Sequence, residues 1–222
     1  MLPIVHFERA FMKLRSNSST ICIHRHSEMS EKDLLKRVSK LSPSDSRKFE
    51  KLLHPSRKMQ FLSARAALIE MDISLEELTN MPEGKPIHPD AFISMGHTAS
   101  HGAAISSAEH PCGIDIETIG RDVARIRKRF VRPDEESFSY AYSDLHVWVA
   151  KEAALKLTGL RTLDFLSDMQ IEERGDQQLL VHLCKEKART PLTLQYAEHD
   201  GQLIGWCVHI EKELSPSKPI II

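Results

Sequence analysis

The stretch Gly113-Ile114-Asp115-Ile116-Glu117 decides how the rest of the chain is read. Side chains alternate across a strand, so Asp115 and Glu117 share one face while Ile114 and Ile116 share the other. The isoleucines can anchor in a core, which leaves two carboxylates side by side on the opposite face. Two like charges that close repel unless a cation sits between them or one takes up a proton. Oxygen ligands on a rigid strand suit Mg²⁺, which takes one or two carboxylates and fills its other positions with water and substrate phosphates. On its own the pentapeptide reads more simply as an exposed strand edge with solvated acids.

Upstream, Ala91–Met95 and Ala103–Ser107 read as strands, and with 113–117 they predict a small antiparallel sheet. Before them lies a turn-rich connector, Met81-Pro82-Glu83-Gly84-Lys85-Pro86 and His88-Pro89-Asp90. Residues 30 to 80 read as helical. Ser30 to Asp33 has the capping pattern, Ser42-Pro43 opens a second helix, and Ser56 is expected to cap a third from Arg57 to Met71. Residues 4 to 26 predict two strands, Ile4–Arg9 and Thr20–His24, joined by a polar loop.

Downstream, the basic run Arg121–Arg132 predicts a helix burying Val123, Ile126 and Phe130, with Arg125, Lys128 and Arg129 outward. Pro133 to Glu136 is expected to open another helix, and Asp144 to Leu157 gives the longest helix of this half. Leu179–Leu183, Leu192–Tyr196 and Leu203–Ile210 read as strands, with hairpin turns at Gly175-Asp176 and Asp200-Gly201.

The longest of these helices holds the second informative cluster, Trp148-Val149-Ala150-Lys151-Glu152-Ala153-Ala154-Leu155-Lys156. Trp148, Glu152 and Lys156 recur at four-residue spacing and share one face. Taken alone, this is an ordinary surface Glu-to-Lys pair. Taken with Asp115 and Glu117, it offers a third carboxylate to a metal and a lysine one turn on to meet phosphate charge.

Composition narrows the options. The chain has 222 residues, 41% hydrophobic and 27% charged, with a formal net charge of -1. That is an ordinary globular balance, without the global positive charge of a nucleic-acid or membrane-surface binder. The four cysteines are Cys22, Cys112, Cys184 and Cys207, scattered without metal-finger spacing. They fit a reducing cytoplasm. No signal-peptide pattern or membrane-length apolar run stands out.

The two clusters together, Gly-Ile-Asp-Ile-Glu and then Trp-x-x-Lys-Glu-Ala-x-x-Lys, resemble the signature of the 4′-phosphopantetheinyl transferase superfamily, in its longer, surfactin-synthetase-activator-like branch. Further segments are similar to that family: Phe61-Leu62 with Arg65, Gly84-Lys85-Pro86, Ser94 to Thr98, and Arg129-Phe130 with Pro133 and Glu135. The likeness runs from about residue 42 to 165. Gly96 departs from it, standing where the family usually has Ser, and Ile69 stands where many members carry Arg.

The resemblance implies an α+β fold. It has two similar subdomains related by a pseudo-twofold, each a small antiparallel sheet packed on helices, with residues 1–108 as one subdomain and 109–222 as the other. It implies transfer of the 4′-phosphopantetheine arm of coenzyme A to a serine of an acidic apo acyl or peptidyl carrier protein, releasing adenosine 3′,5′-bisphosphate. It also implies a cytoplasmic monomer. Asp115, Glu117 and Glu152 would hold Mg²⁺ or Mn²⁺. Glu152 would serve as base and Lys156 would stabilise phosphate charge. His97, Lys85, Lys48 and Arg57 would grip coenzyme A phosphates, with Lys151 turned to solvent or a phosphate. Arg121, Arg125, Lys128 and Arg129 would steer the carrier. Trp148 reads as packing only, and His24 with His26 as a surface pair. The competing readings are a non-catalytic coenzyme A- or carrier-binding homologue and a Mg²⁺-dependent nuclease.

Overall fold

The computed structural model describes residues 4–8, 11–16, 19–82, 84–135, 143–173, 178–185 and 188–209. It is α+β, with two five-stranded antiparallel sheets and few helices. In chain order come strands β1 (Ile4–Glu8), β2 (Phe11–Ser16) and β3 (Ser19–Arg25), then helices α1 (Glu31–Val38), α2 (Pro43–Glu50) and α3 (Pro55–Ile69). The short pair β4 (Thr79–Asn80) and β5 (Pro86–Ile87) leads to β6 (Phe92–His97) and β7 (His101–Ser107). The second sheet starts with β8 (Cys112–Thr118). Helix α4 (Asp144–Thr158) follows, then β9 (Met169–Glu173), β10 (Gln178–Lys185), β11 (Ala188–His199) and β12 (Gln202–Val208).

The first sheet runs β1-β2-β3-β7-β6 and the second β8-β12-β11-β10-β9. Two expectations change here. Residues 4 to 26 hold three strands, because Met12 and Leu14 alternate inward against Lys13 and Arg15 and make Phe11–Ser16 a strand in its own right. The 113–117 strand does not join its upstream neighbours; β8 pairs with β12 from the far end of the chain, Asp115 opposite Gly205 and Glu117 opposite Leu203. Local alternation identifies a strand but is silent on which distant edge it meets.

Each half carries one 15-residue helix, α3 or α4, packed on its sheet. The halves share these parts but not their order. The first makes its three-strand meander before its helices, and the second makes its meander after α4. Helix α3 starts two residues earlier than expected, since Pro55 suits a first helical position and His54 Nδ1 accepts the Ser56 N–H at 3.3 Å. The basic run forms only a 3-10 helix, Ala124–Arg129, though Val123 and Phe130 are buried as expected. Pro133–Glu135 is a 3-10 turn, and the expected continuation from residue 136 lies outside the described residues, as does the Gly175-Asp176 turn.

Glycines let the helices lie on the strands. A Cβ on Gly205 would sit 2.5 Å from Val149 Cγ1, so β12 takes an α4 side chain against its bare backbone, and one on Gly113 would sit 2.0 Å from the Ala153 carbonyl oxygen, so α4 crosses β8 in direct backbone contact. Gly102 in β7 serves α3 in the same way. The apolar side of β8 faces elsewhere. Ile114 and Ile116 are buried with Ile204 and Trp206 against Met12, Leu14, Ile21, Ile23 and Ile105 of the first sheet. One buried layer therefore joins the two sheets, and β8 lies between that layer and α4. Among the described residues no helix is long and apolar enough to cross a membrane.

Candidate active site

The polar face of β8 reads off against α4 residue by residue. Gly113 meets Ala153 and Leu157, Asp115 meets Lys156, and Glu117 meets Trp148. The three acids expected to share a metal therefore come from elements in contact. They do not close around one point: among the described residues their donor atoms do not form a group within 4.8 Å. Protein cations hold two of them instead. Lys156 Nζ donates to Asp115 Oδ1 at 2.6 Å, and Arg121 donates to Glu117 Oε1.

Asp115 Oδ2 is buried with no hydrogen-bond partner. A buried carboxylate oxygen left bare is costly, and a hard cation is one ligand that would satisfy it. Glu152 has its pKa raised, by burial first and by the Asp115 charge second, with Lys156 and Arg121 opposing. The structure places Asp115, Glu152 and Lys156 near one another, and their donor set is of a kind that suits a divalent cation.

Glu117 has a second partner that the sequence reading missed. Trp148 Nε1–H donates to Glu117 Oε1 at 3.0 Å. The indole is braced edge-on by Phe130 and Phe165, with ring centroids 5.2 and 5.8 Å away, and the Arg121 guanidinium lies 5.5 Å from its centroid. Trp148 is thus an orienting donor as well as a packing residue. Arg121, expected to steer a carrier, is engaged by Glu117, whereas Arg125, Lys128 and Arg129 are exposed.

The residues expected to grip coenzyme A divide. His97, at the end of β6, is exposed, and its pKa falls to about 4 through desolvation and the positive charges of Lys156, Arg57 and Arg65. Arg57 is exposed and near enough to act on that ring. Lys48 Nζ donates to Asn80 Oδ1 at 2.6 Å; burial lowers its pKa most, with Arg65 and Arg161 adding to that and Asp45 opposing. Arg161 is a cation the sequence reading did not single out. It is the first basic residue after the Gly159 cap of α4, and it packs where a Cβ on Gly84 would stand, 2.7 Å away. Gly84 sits at φ +94°, a conformation that favours glycine.

Two expected phosphate ligands have protein partners. Lys85 Nζ donates to the Leu157 carbonyl at the end of α4, where a cation complements the helix dipole. Lys151 is fully buried and is corrected outright: it faces neither solvent nor a cleft. Its ammonium bonds Phe130 O at 2.7 Å, Glu135 Oε2 at 2.8 Å and Phe165 O at 2.9 Å. Glu135 in turn accepts the N–H groups of Ile171 and Arg132 at 2.7 and 3.0 Å, so the pair ties α4 to β9. His24 and His26 are likewise buried, not a surface pair.

Gly96 also gains a reason. A Cβ there would lie 3.2 Å from Ile116 Cγ2 and 3.3 Å from Lys156 Nζ. The bare backbone of β6 makes room for the ammonium that holds Asp115.

Residues 111–207 match the family model of the 4′-phosphopantetheinyl transferase superfamily. The matched segment holds β8, α4 and nearly all of the second sheet, and the match supports that superfamily. It supports a transferase of the phosphopantetheinyl kind. No curated protein matches the chain.

Proposed function

We propose that this protein is a holo-carrier-protein synthase, moving 4′-phosphopantetheine from coenzyme A to a serine of an acidic apo acyl or peptidyl carrier protein. The observation that carries the reading is Asp115, paired to Lys156 by one oxygen and bare at the other, beside a Glu152 with a raised pKa, all inside the superfamily segment. The serine oxygen attacks the diphosphate phosphorus that bears the pantetheine arm. A new phosphodiester bond forms, the diphosphate bridge breaks, and adenosine 3′,5′-bisphosphate leaves. Glu152 takes the serine proton; a carboxylate held above its ordinary range is a stronger base for that task. Lys156 lies where it can swing from Asp115 to a phosphate oxygen and meet the charge that develops.

Asp115, Glu117 and Glu152 would hold Mg²⁺ or Mn²⁺, which neutralises the diphosphate when bound. Arg57, Lys48 and Arg161 would offer positive charge to the phosphates of coenzyme A, with His97 beside Arg57. His97 is neutral at pH 7, so it would donate a neutral hydrogen bond while the arginines supply charge. Arg125, Lys128 and Arg129 would face the acidic carrier. The protein would act as a cytoplasmic monomer.

Mixing the protein with an apo carrier, coenzyme A and Mg²⁺ and weighing the carrier tests the reading. Covalent gain of the arm supports it. Binding without gain would favour a non-catalytic homologue, and cleavage of added DNA or RNA a nuclease.

A further inference from the structure

The connector between α3 and β6 carries a second set of ligand-type side chains, remote in sequence from the acids of β8 and α4. Glu77, His88 and Asp90 each present one donor atom, and these atoms lie within 4.8 Å of one another. Glu77 precedes β4, and His88 and Asp90 follow β5, so the β4–β5 pairing of Thr79 with Ile87 and Asn80 with Pro86 brings them together. His88 is buried, 8% exposed, and its Nε2 has no hydrogen-bond partner. The nearest carboxylate oxygen, Glu77 Oε2, is 3.7 Å away, too far to accept a proton. A buried ring nitrogen has thus lost its water without gaining a partner, and two carboxylates stand beside it.

We propose that Glu77, His88 and Asp90 form a divalent-metal site of the Zn²⁺ type, distinct from the Mg²⁺-type acids around Asp115. An imidazole nitrogen with two carboxylate oxygens selects a transition metal over Mg²⁺, and water would complete four-coordination. Tetrahedral donors at bond lengths of about 2.0–2.2 Å stand roughly 3.4 Å apart, so the side chains must draw in. Glu77 and Asp90 are exposed and free to do so. The Asp90 N–H donates to His88 Nδ1 at 3.2 Å, which places the ring proton on Nε2. Loading the ion there moves that proton to Nδ1 and gives up this long contact. The ion pins the connector that carries Asn80, the partner of Lys48, and Lys85, the cap of α4. Its role is structural, and it stands whether or not the chain transfers phosphopantetheine.

Titrating the whole protein with Co²⁺, in excess Mg²⁺ and in an Asp115→Asn background, tests the site spectroscopically. One Co²⁺ is expected, with the visible absorption of a low-coordinate nitrogen and oxygen site, no thiolate charge-transfer band, and displacement by Zn²⁺. His88→Gln, and separately the surface change Asp90→Asn, should each weaken uptake at least about tenfold. Uptake unchanged in both variants, a thiolate band, or no uptake at all overturns the proposal.

Discussion

Lys156 Nζ lies 2.6 Å from one carboxylate oxygen of Asp115, and the other oxygen of that carboxylate is buried without a partner. The lysine comes from α4 and the acid from β8, so their bond fastens helix to strand at the candidate site. It also means that the protein carries its own counter-charge there.

Removing that charge should make the fold lean on metal. In Lys156→Met, Asp115 is left buried and unpaired. The ammonium is partly solvated, so we expect a loss of about 1–3 kcal/mol in metal-free buffer. Mg²⁺ should restore much of it. Thermal melts with and without Mg²⁺ check this; equal destabilisation in both would show that no ion reaches Asp115.

Glu152→Gln keeps shape and removes the base. Carrier modification should fall by about 10²–10⁴-fold, with the melting temperature held or slightly raised, since the neutral amide no longer faces Asp115. The wild-type rate should rise with pH as the Glu152 carboxyl loses its proton, and this limb should vanish in the variant. Single-turnover rates across pH measure both.

Gly96→Ala tests the space beside the ammonium. Lys156 can yield but Ile116, packed between the sheets, cannot, so an overpacking cost of about 1 kcal/mol is expected with a slower rate. A variant as stable and as fast as wild type would show that the close approach is idle.

Acid should weaken the protein well above the carboxylate range. His24 is fully buried, and its pKa is lowered to about 4, by desolvation first and then by Arg37, His26 and His101. Between that value and the unfolded value of about 6.5 the unfolded chain binds more protons, so stability falls as pH drops through this window. The full contribution is about 3 kcal/mol. His26, His101 and His146 shift the same way, each chiefly by burial. In His24→Gln the loss of melting temperature from pH 7 to pH 5 should be smaller than in wild type.

Reversing Arg125 and Lys128 to Glu should raise the KM for an acidic carrier by about tenfold or more, more steeply at low salt, and leave coenzyme A affinity unchanged. Parallel loss of both affinities would place these side chains at the coenzyme instead.

Much of the site was legible because its signals are periodic. Alternation put Asp115 and Glu117 on one face of β8, and four-residue spacing put Glu152 and Lys156 on one face of α4. What stayed hidden depends on distant partners. Lys151 looks like any solvated lysine until Glu135 and three carbonyls surround it, and none of them adjoins it in sequence. Trp148 reads as core because nothing local shows that its N–H will meet Glu117. The strand pairing failed for the same reason: β12, the true neighbour of β8, lies at the other end of the chain.

The layer formed by Ile114, Ile116, Ile204 and Trp206 against the first sheet has a practical corollary. Severing the backbone between Ser107 and Cys112 would not release two independent proteins. Each fragment would bare an oily wall and be insoluble alone, yet the pair should reassemble when refolded together. The protein is thus a natural candidate for a split reporter, in which recovered folding registers the meeting of its pieces.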